Sequence, residues 1–376
     1  MSWKPLFSKA LAAKPDRLHF AAHSHHLWPD AACAGHLVAC NDAMELADQK
    51  WDKIMGPVWA DAQNYIALEL NLPDRQTIAF APNTHDFLVR IMSAIPTRPV
   101  RVLTTDGEFH SFRRQMDRWS EDGQVIVEAV PANALVDKAT SSKHDLIFAS
   151  QVLFNSGTVL NDIGKLAALA RPEGPWVVID GYHGFMALDT DLSTVADRIF
   201  YLAGGYKYAM AGEGVCFLHA APGYAPRPPV TGWFAAFDDL SLSPGRTGYA
   251  PGGRRFLGST FDPSGLYRFN AVQEMLAEAK LSTSVISAHV ATLQQQFLSH
   301  NPLPDMRLLN PLDGEAHARF LAFQSEHASS LHDALTERNI ITDVRGDVLR
   351  IGFGLYHDTE DVDRLIKSIS KILSIT

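Results

Sequence analysis

The sequence predicts an α/β protein with a large domain on a mostly parallel, seven-stranded sheet over residues 46–263. A smaller α+β domain is expected from residues 1–45 together with 264–376. Three observations carry this reading. Between about residues 77 and 219, short apolar runs alternate with amphipathic stretches, the pattern of strand–helix–strand units. The span 221–264 is dense in proline and glycine, with Pro222, Pro226, Pro228, Pro229, Pro244, Pro251, Gly252 and Gly253. It reads as a long ordered loop that closes the large domain. Beyond it the helical and strand-like patterns are of the α+β kind and form a second unit.

Taken in order, the predicted strands are Ile78–Ala81, Val100–Thr104, Val125–Val130, Leu146–Ala149, Trp176–Ile179, Ile199–Ala203 and Val215–His219. Helical patterns lie between the earlier ones, over Thr84–Ile95, Phe109–Trp119 and Asp162–Ala170, where apolar residues recur at helical spacing. The last two strands are joined by loop rather than helix, so one of them can run antiparallel. A helical segment then runs from Ser264 to His300 in two pieces. After it come a strand over Phe320–Gln324, a helix near His327–Arg338, strands near Ile341–Val344 and Val348–Phe353, and a final helix Glu360–Leu373. The first 45 residues show no sheet alternation of their own and are expected to pack with the second unit.

At 376 residues the chain is long enough for two domains and a large core. Apolar residues make up 46% and charged residues 20%, an ordinary globular composition. The net charge of −9 argues against a nucleic-acid partner, because neutralising phosphates needs a basic face. No apolar run approaches the roughly 20 residues needed to span a bilayer. The opening Met1-Ser2-Trp3-Lys4-Pro5 lacks the apolar segment of a secretory signal. Cys33, Cys40 and Cys216 are too few and too scattered for a disulfide framework or a zinc site. A reduced, cytoplasmic setting is the expectation.

In an open parallel sheet, ligands sit beyond the carboxyl ends of the strands. Five strand ends here carry suitable groups. Asn83-Thr84 follow the first and open a helix whose free N–H groups could hold a phosphate. Glu108-Phe109-His110 follow the second, Asn155-Ser156-Gly157 the fourth, Asp180 and His183 the fifth, and Tyr206-Lys207-Tyr208 the sixth. Each has a bland reading: Asn83 as a helix cap, Phe109 as core, Asp180 as a turn residue, Lys207 as a surface loop residue. The combination points elsewhere. An amine at one strand end and a carboxylate at a neighbouring one are what pyridoxal phosphate chemistry requires. The lysine condenses with the aldehyde, and the aspartate keeps the pyridine nitrogen protonated. His23, His25 and His26 suggest metal ligands at first sight. In an extended chain His23 and His25 would share a face, but no carboxylate or thiolate stands near them in sequence, so no metal is expected.

These residues resemble the fold-type-I pyridoxal phosphate enzymes of the class V aminotransferase group, and most of all kynureninase. The resemblance runs from the His23-Ser24-His25-His26 loop to the final helix. It is most specific at Asp180-Gly-Tyr-His183 and Gly-Gly-Tyr206-Lys207-Tyr208. It implies that Asp180 pairs with the pyridinium nitrogen, His183 lies beside the ring, Lys207 bonds the cofactor and Tyr206 reaches its phosphate. Asn83 and Thr84 match the phosphate-binding helix start, and Phe109 matches the stacking aromatic. Trp233, in Gly-Trp-Phe, is implied in phosphate contact. Ser259 and Thr260, beside Gly258, are implied to cross a homodimer interface into a shared site. Arg350, in Leu-Arg-Ile-Gly-Phe, matches the arginine that grips a substrate α-carboxylate. Asn155, His23 and Ser24 fall at substrate-facing places. Departures are concentrated there: Phe112 stands where the family has an aspartate, Thr260-Phe261 follow the Gly-Ser pair, and His23-Ser24-His25-His26 replaces an Asn-Ser-x-Gly pattern.

The implied activity is that of an enzyme on an amino acid, with kynureninase-like hydrolytic Cβ–Cγ cleavage releasing alanine as the leading branch. Another class V aminotransferase or lyase reaction, or a protein that binds the cofactor without turnover, are the alternatives. Cysteine desulfuration is set aside, because Cys216 is the only cysteine after Lys207 and lies in a strand-like run.

Overall fold

The computed structural model describes residues 2–237 and 247–374. Seven strands form the main sheet: β1 (Ile78–Ala81), β2 (Val100–Thr105), β3 (Val125–Val130), β4 (Leu146–Ser150), β5 (Trp176–Asp180), β6 (Ile199–Gly204) and β7 (Cys216–Ala220). Their order is β1-β7-β6-β5-β4-β2-β3. β7 pairs antiparallel with both β1 and β6, while the β2, β3, β4, β5 and β6 ladders are parallel. The helix-free connection between β6 and β7 therefore makes the one reversal. β4, β5 and β6 are buried along nearly their whole length, as expected where helices cover both faces of a parallel sheet. The chain builds outward through β2 and β3, then returns to place β4 on the other side of β2. This switch point opens a crevice at the carboxyl ends of β2 and β4.

Helix α1 (Asp30–Leu46) was not anticipated by the periodicity. It packs on α4 (Ser264–Glu278), so closely at Gly35 that a β-carbon there would stand 2.6 Å from the Tyr267 carbonyl oxygen. Two further helices lead from sheet strands: α2 (Thr84–Ala94) from β1 and α3 (His110–Glu121) from β2. The long segment expected from Ser264 to His300 is two helices, α4 and α5 (Thr283–Ser299). The buried side chains of α4, among them Phe269, Val272 and Leu276, belong to the sheet's own core. Val290, Leu293 and Phe297 of α5 belong to a second core. On packing, α4 therefore sits with the large unit rather than with the residues that follow it.

The second unit is a four-stranded antiparallel sheet with β8 (Phe320–Gln324), β9 (Asp343–Arg345) and β10 (Val348–Gly352), plus the pair Arg307-Leu308 at its edge. The single strand expected near Ile341–Val344 is divided at Thr342: Ile340-Ile341 pair with Leu18-His19, and β9 pairs with β10. Helix α6 (Thr359–Leu373) starts with a capping box between Asp358 and Asp361 and buries Val362, Leu365 and Ile369. Each such buried aliphatic contributes about 1.5–3 kcal/mol.

The first 45 residues join both units. Leu18-His19 extend the second unit, and the Gly352 N–H donates to the Phe20 carbonyl at 2.7 Å. Then the chain turns, and the His26 N–H donates to the Tyr206 carbonyl at 3.1 Å. Residues 22–25 form that turn rather than an extended strand, so His23 and His25 do not share a face. His23 stacks on Phe320, while His25 stacks on Tyr206. Of the loop expected over 221–264, residues 238–246 lie outside the described residues. The rest contains two short 3-10 turns, Trp233–Ala236 and Gly252–Phe256. Among the described residues, no helix is long and apolar enough to cross a membrane.

Candidate active site

Asp180 ends β5 and Gly204 ends the adjacent β6, so the sheet itself delivers the carboxylate and the lysine loop side by side. The loop's path depends on Gly204: a β-carbon there would stand 2.3 Å from Tyr182 Oη and 2.4 Å from Cys216 Sγ. Backbone bonds then tie it down, Gly205 N–H to the Val215 carbonyl and Ala211 N–H to the Gly205 carbonyl, both at 2.8 Å. Lys207 is left 5% exposed, with Nζ 2.8 Å from His183 Nε2. The same Nζ lies 5.8 Å from the Phe109 ring centre, 5.4 Å from Tyr182 and 5.3 Å from Tyr206. All of these residues and Asp180 line one cleft of about 1540 Å³. That exceeds a typical small-molecule pocket of about 300–1,000 Å³, so it has room for a cofactor and a substrate together.

Burial sets the charge states. It pushes the Lys207 ammonium down to about 7, with Arg350 adding and Asp180 opposing. It pushes Asp180 up to about 6, against the Tyr182 N–H that donates to Oδ1 at 2.9 Å and against Lys207. His183 is driven well below its ordinary value by burial, then by Lys207 and Arg350, so its ring is neutral and shares a hydrogen bond with Lys207 through Nε2. Glu108 is fully buried and accepts from Thr105 Oγ1 at 2.6 Å, from the Ser150 N–H at 3.0 Å and from the Ser150 hydroxyl. It clamps the ends of β2 and β4 across the switch point. Burial pushes its pKa up to about 7.

Asn83, Thr84, Phe109, Asp180, His183, Tyr206 and Lys207 all line the cleft. Asn83 caps α2, accepting from the Asp86 N–H at 2.9 Å. Its capping role and a ligand at the helix start are compatible, since the cap uses one of the free N–H groups. Arg350, 3% exposed, donates to the Phe154 carbonyl and to Asp343, leaving its Nε without a partner. His23 is fully buried, 3.8 Å from the same Asp343 oxygen, and both of its ring nitrogens lack hydrogen bonds. Asn155 is half-buried with an unpartnered Oδ1, and Ser24 Oγ meets His25 Nδ1 at 3.3 Å. None of Arg350, His23, Asn155 and Ser24 is among the residues that line the cleft, so the substrate-facing places expected of them are set back from it. Trp233, Ser259 and Thr260 do not line this chain's cleft either. They are exposed together on another surface, where Trp233 Nε1 donates to Thr260 Oγ1 at 3.3 Å. Phe112, which stands in the place of an aspartate, stacks on Phe148 with ring centres 3.9 Å apart and serves the core.

Sequence reasoning missed Asp343, Thr104 and Phe154. Asp343 had a usable signal: Gly346-Asp347 make a two-residue hairpin turn, which pairs Asp343 directly with Arg350. Thr104, whose buried hydroxyl lacks a partner and faces the cleft, looked like any strand residue.

Residues 286–369 match the family model of the kynureninase C-terminal domain. Isopenicillin N epimerase of Streptomyces clavuligerus is 30% identical over 245 residues, 60% of each chain. A probable cysteine desulfurase of Vibrio cholerae is 28% identical over 222 residues, 55% of this chain and 53% of that one. The matches thus span little more than half the length of these two relatives. Among solved structures, the apo cysteine desulfurase of Thermococcus onnurineus superposes with a TM-score of 0.82 at 14% identity, covering 100% of this chain and 99% of that one. The cystine C–S lyase C-DES, in complex with cysteine persulfide, superposes with a TM-score of 0.79 at 19% identity over 97% and 99%. The architecture is that of the fold-type-I pyridoxal phosphate-dependent transferases. The relatives by sequence include an epimerase and a desulfurase, whereas the kynureninase match covers only the C-terminal part of the chain.

Proposed function

We propose that the protein is a pyridoxal 5'-phosphate-dependent enzyme of the class V aminotransferase group, acting as a lyase on an amino acid. The observation that carries this is the pairing of a buried, easily deprotonated Lys207 with the Asp180 carboxylate in one cleft, at the ends of adjacent strands. The cleft fits the cofactor on its own terms. It offers an amine for the aldehyde, a carboxylate for the ring nitrogen, the start of α2 for the phosphate, and unpartnered buried atoms at Thr104 Oγ1 and His183 Nδ1. Bound there, pyridoxal phosphate supplies an electron sink for a carbanion at the substrate α-carbon.

The chain's own residues would do the rest. Lys207, with a pKa near neutrality, removes the α-proton, and the neutral His183 beside it holds the amine in place through Nε2. Arg350 orients the substrate carboxylate, and the rings of Phe109 and Phe154 exclude water from that side. A desulfurase-type attack by an enzyme thiol is not proposed. Cys216, at the start of β7, lines the cleft, but its thiol is buried and pushed up to about 12, while Cys33 and Cys40 lie on α1, away from the cleft. The match of residues 286–369 favours a second reading, kynureninase-like hydrolytic Cβ–Cγ cleavage releasing alanine.

A homodimer with shared sites is part of the proposal, since Trp233, Ser259 and Thr260 form one exposed group away from their own chain's cleft. Borohydride reduction of the cofactor-loaded protein, followed by peptide mapping, tests the central point: the label is expected on Lys207, and a label elsewhere or none defeats the reading. Incubation with amino acids in the absence of any keto acid separates the branches. A lyase turns over, alanine from kynurenine selects the second reading, and accumulation of the amine form of the cofactor would mark a transaminase. A cofactor spectrum unmoved by every amino acid would mark a protein that binds without turnover.

A further inference from the structure

Three guanidinium groups lie along one chain of contacts that starts at the cleft wall, where Arg113, His110 and Phe154 line it, and runs behind Phe154 to Arg350 and Arg345, with a single carboxylate among them. Arg350 donates to Asp343 and to the Phe154 carbonyl, and its Cζ lies 5.7 Å from the Phe154 ring centre. Arg345 pairs with the other oxygen of Asp343 at 2.7 Å. The Phe154 ring meets His110 at 5.0 Å, and Arg113 Nη2 donates to His110 Nδ1 at 2.9 Å. The contacts Arg113–His110–Phe154–Arg350–Asp343–Arg345 are therefore continuous. Among the described residues, Asp343 is the only carboxylate within ion-pair distance of Arg345 or Arg350, and none is within it of Arg113. Arg113 also sits in the first turn of α3, at the positive end of the helix dipole, where no acidic residue balances it. The lowered pKa of His110 names the same neighbours, Arg113, Arg345 and Arg350, after burial.

Three positive groups against one negative leave two uncompensated charges, and like charges gather at a cleft wall where an anion is bound. If the proposed function holds, a substrate α-carboxylate accounts for one. We propose that the other is met by the substrate's side chain: the enzyme takes an amino acid whose side chain ends in a carboxylate or an equivalent anion, held by Arg113, His110 and Arg345. The carbon chain between the two anions then lies along the Phe109 and Phe154 rings, which meet edge to face at 5.3 Å.

Calorimetry on the cofactor-free protein tests this without turnover, with succinate and butyrate as probes of equal carbon count. Succinate is expected to bind at least about tenfold more tightly, and Arg113→Met or Arg345→Met to cut that preference below about threefold. Both side chains are exposed, so these variants should fold. Arg118→Met is the control, because Arg118 lines the cleft but is already paired with Asp122 at 2.6 Å. Equal binding of the two probes, or the same loss of preference in Arg118→Met, overturns the inference. In the loaded protein, L-glutamate should perturb the cofactor absorbance at lower concentration than L-glutamine, and the reverse order also overturns it. If the calorimetric preference holds while borohydride fails to label Lys207, the diacid site stands and the functional reading falls.

Discussion

Lys207 owes its lowered pKa to where it is buried, and the residue-scale predictions follow from its surroundings. Attachment of the aldehyde requires the neutral amine, so its rate should rise with pH through about 7 and level off above. Removing a positive neighbour favours the ammonium, so in Arg350→Met the midpoint should move to higher pH; stopped-flow absorbance across this range reads both. A midpoint unmoved by the substitution would mean that Arg350 does not act on the amine. Asp180→Asn keeps an acceptor for the Tyr182 N–H but loses the charge. Turnover should fall by at least about a hundredfold while Lys207 still takes the borohydride label. Loss of the label as well would place Asp180 in folding rather than chemistry.

Glu108 belongs to the scale of elements, because its carboxyl group joins the ends of β2 and β4. Its folded pKa is raised from 4.5 to about 7, so the native state holds a proton that the unfolded chain releases between those values. That stabilisation is fully present below about pH 4.5 and is lost as pH rises through about 7. Relative to Glu108→Gln, which does not titrate, the wild type should lose roughly 3 kcal/mol across the window, measured by denaturant unfolding at several pH values. A parallel pH profile for the two proteins would sink this account. Gly204 sets the other strand end. Gly204→Ala pushes a methyl group into Tyr182 Oη and Cys216 Sγ, which should cost about 1–3 kcal/mol of stability and reduce cofactor occupancy. Adding Tyr182→Phe removes the nearest of the three clashing atoms, leaving Tyr182 Cζ and Cys216 Sγ, and should recover part of both.

Over the whole molecule, the N-terminal segment couples the two units, since it pairs with the second sheet at Leu18-His19 and then bonds the carbonyl of Tyr206. Movement between the units would be felt at the lysine loop. The exposed group Trp233, Ser259 and Thr260 bears on assembly. If a second copy completes each site, the protein should sediment at twice its monomer mass. Mixing inactive Lys207→Ala subunits with inactive Trp233→Ala/Thr260→Ala subunits should then restore about a quarter of wild-type turnover, through heterodimers holding one intact site. Sites confined to one chain would recover nothing.

The positions of the strands along the chain, a reversal at one of the last two, and the placing of Lys207 and Asp180 at strand ends were legible in the sequence; the order of the strands across the sheet was not. Apolar alternation fixes where strands stop, and polar residues just past those stops must face the crevice. The resemblance also pointed to Arg350, but not to the Asp343 that already holds it, because that pair is made by hairpin register. The clamp at Glu108 likewise needed the neighbouring of β2 and β4, whose paired residues lie 44 positions apart in the chain. Local patterns, then, determined the elements and the chemical groups each one carries. Which charges face each other, which are left uncompensated, and which residues are turned outward from their own cleft were decided only by tertiary packing, since these depend on contacts between segments whose separation no local pattern records.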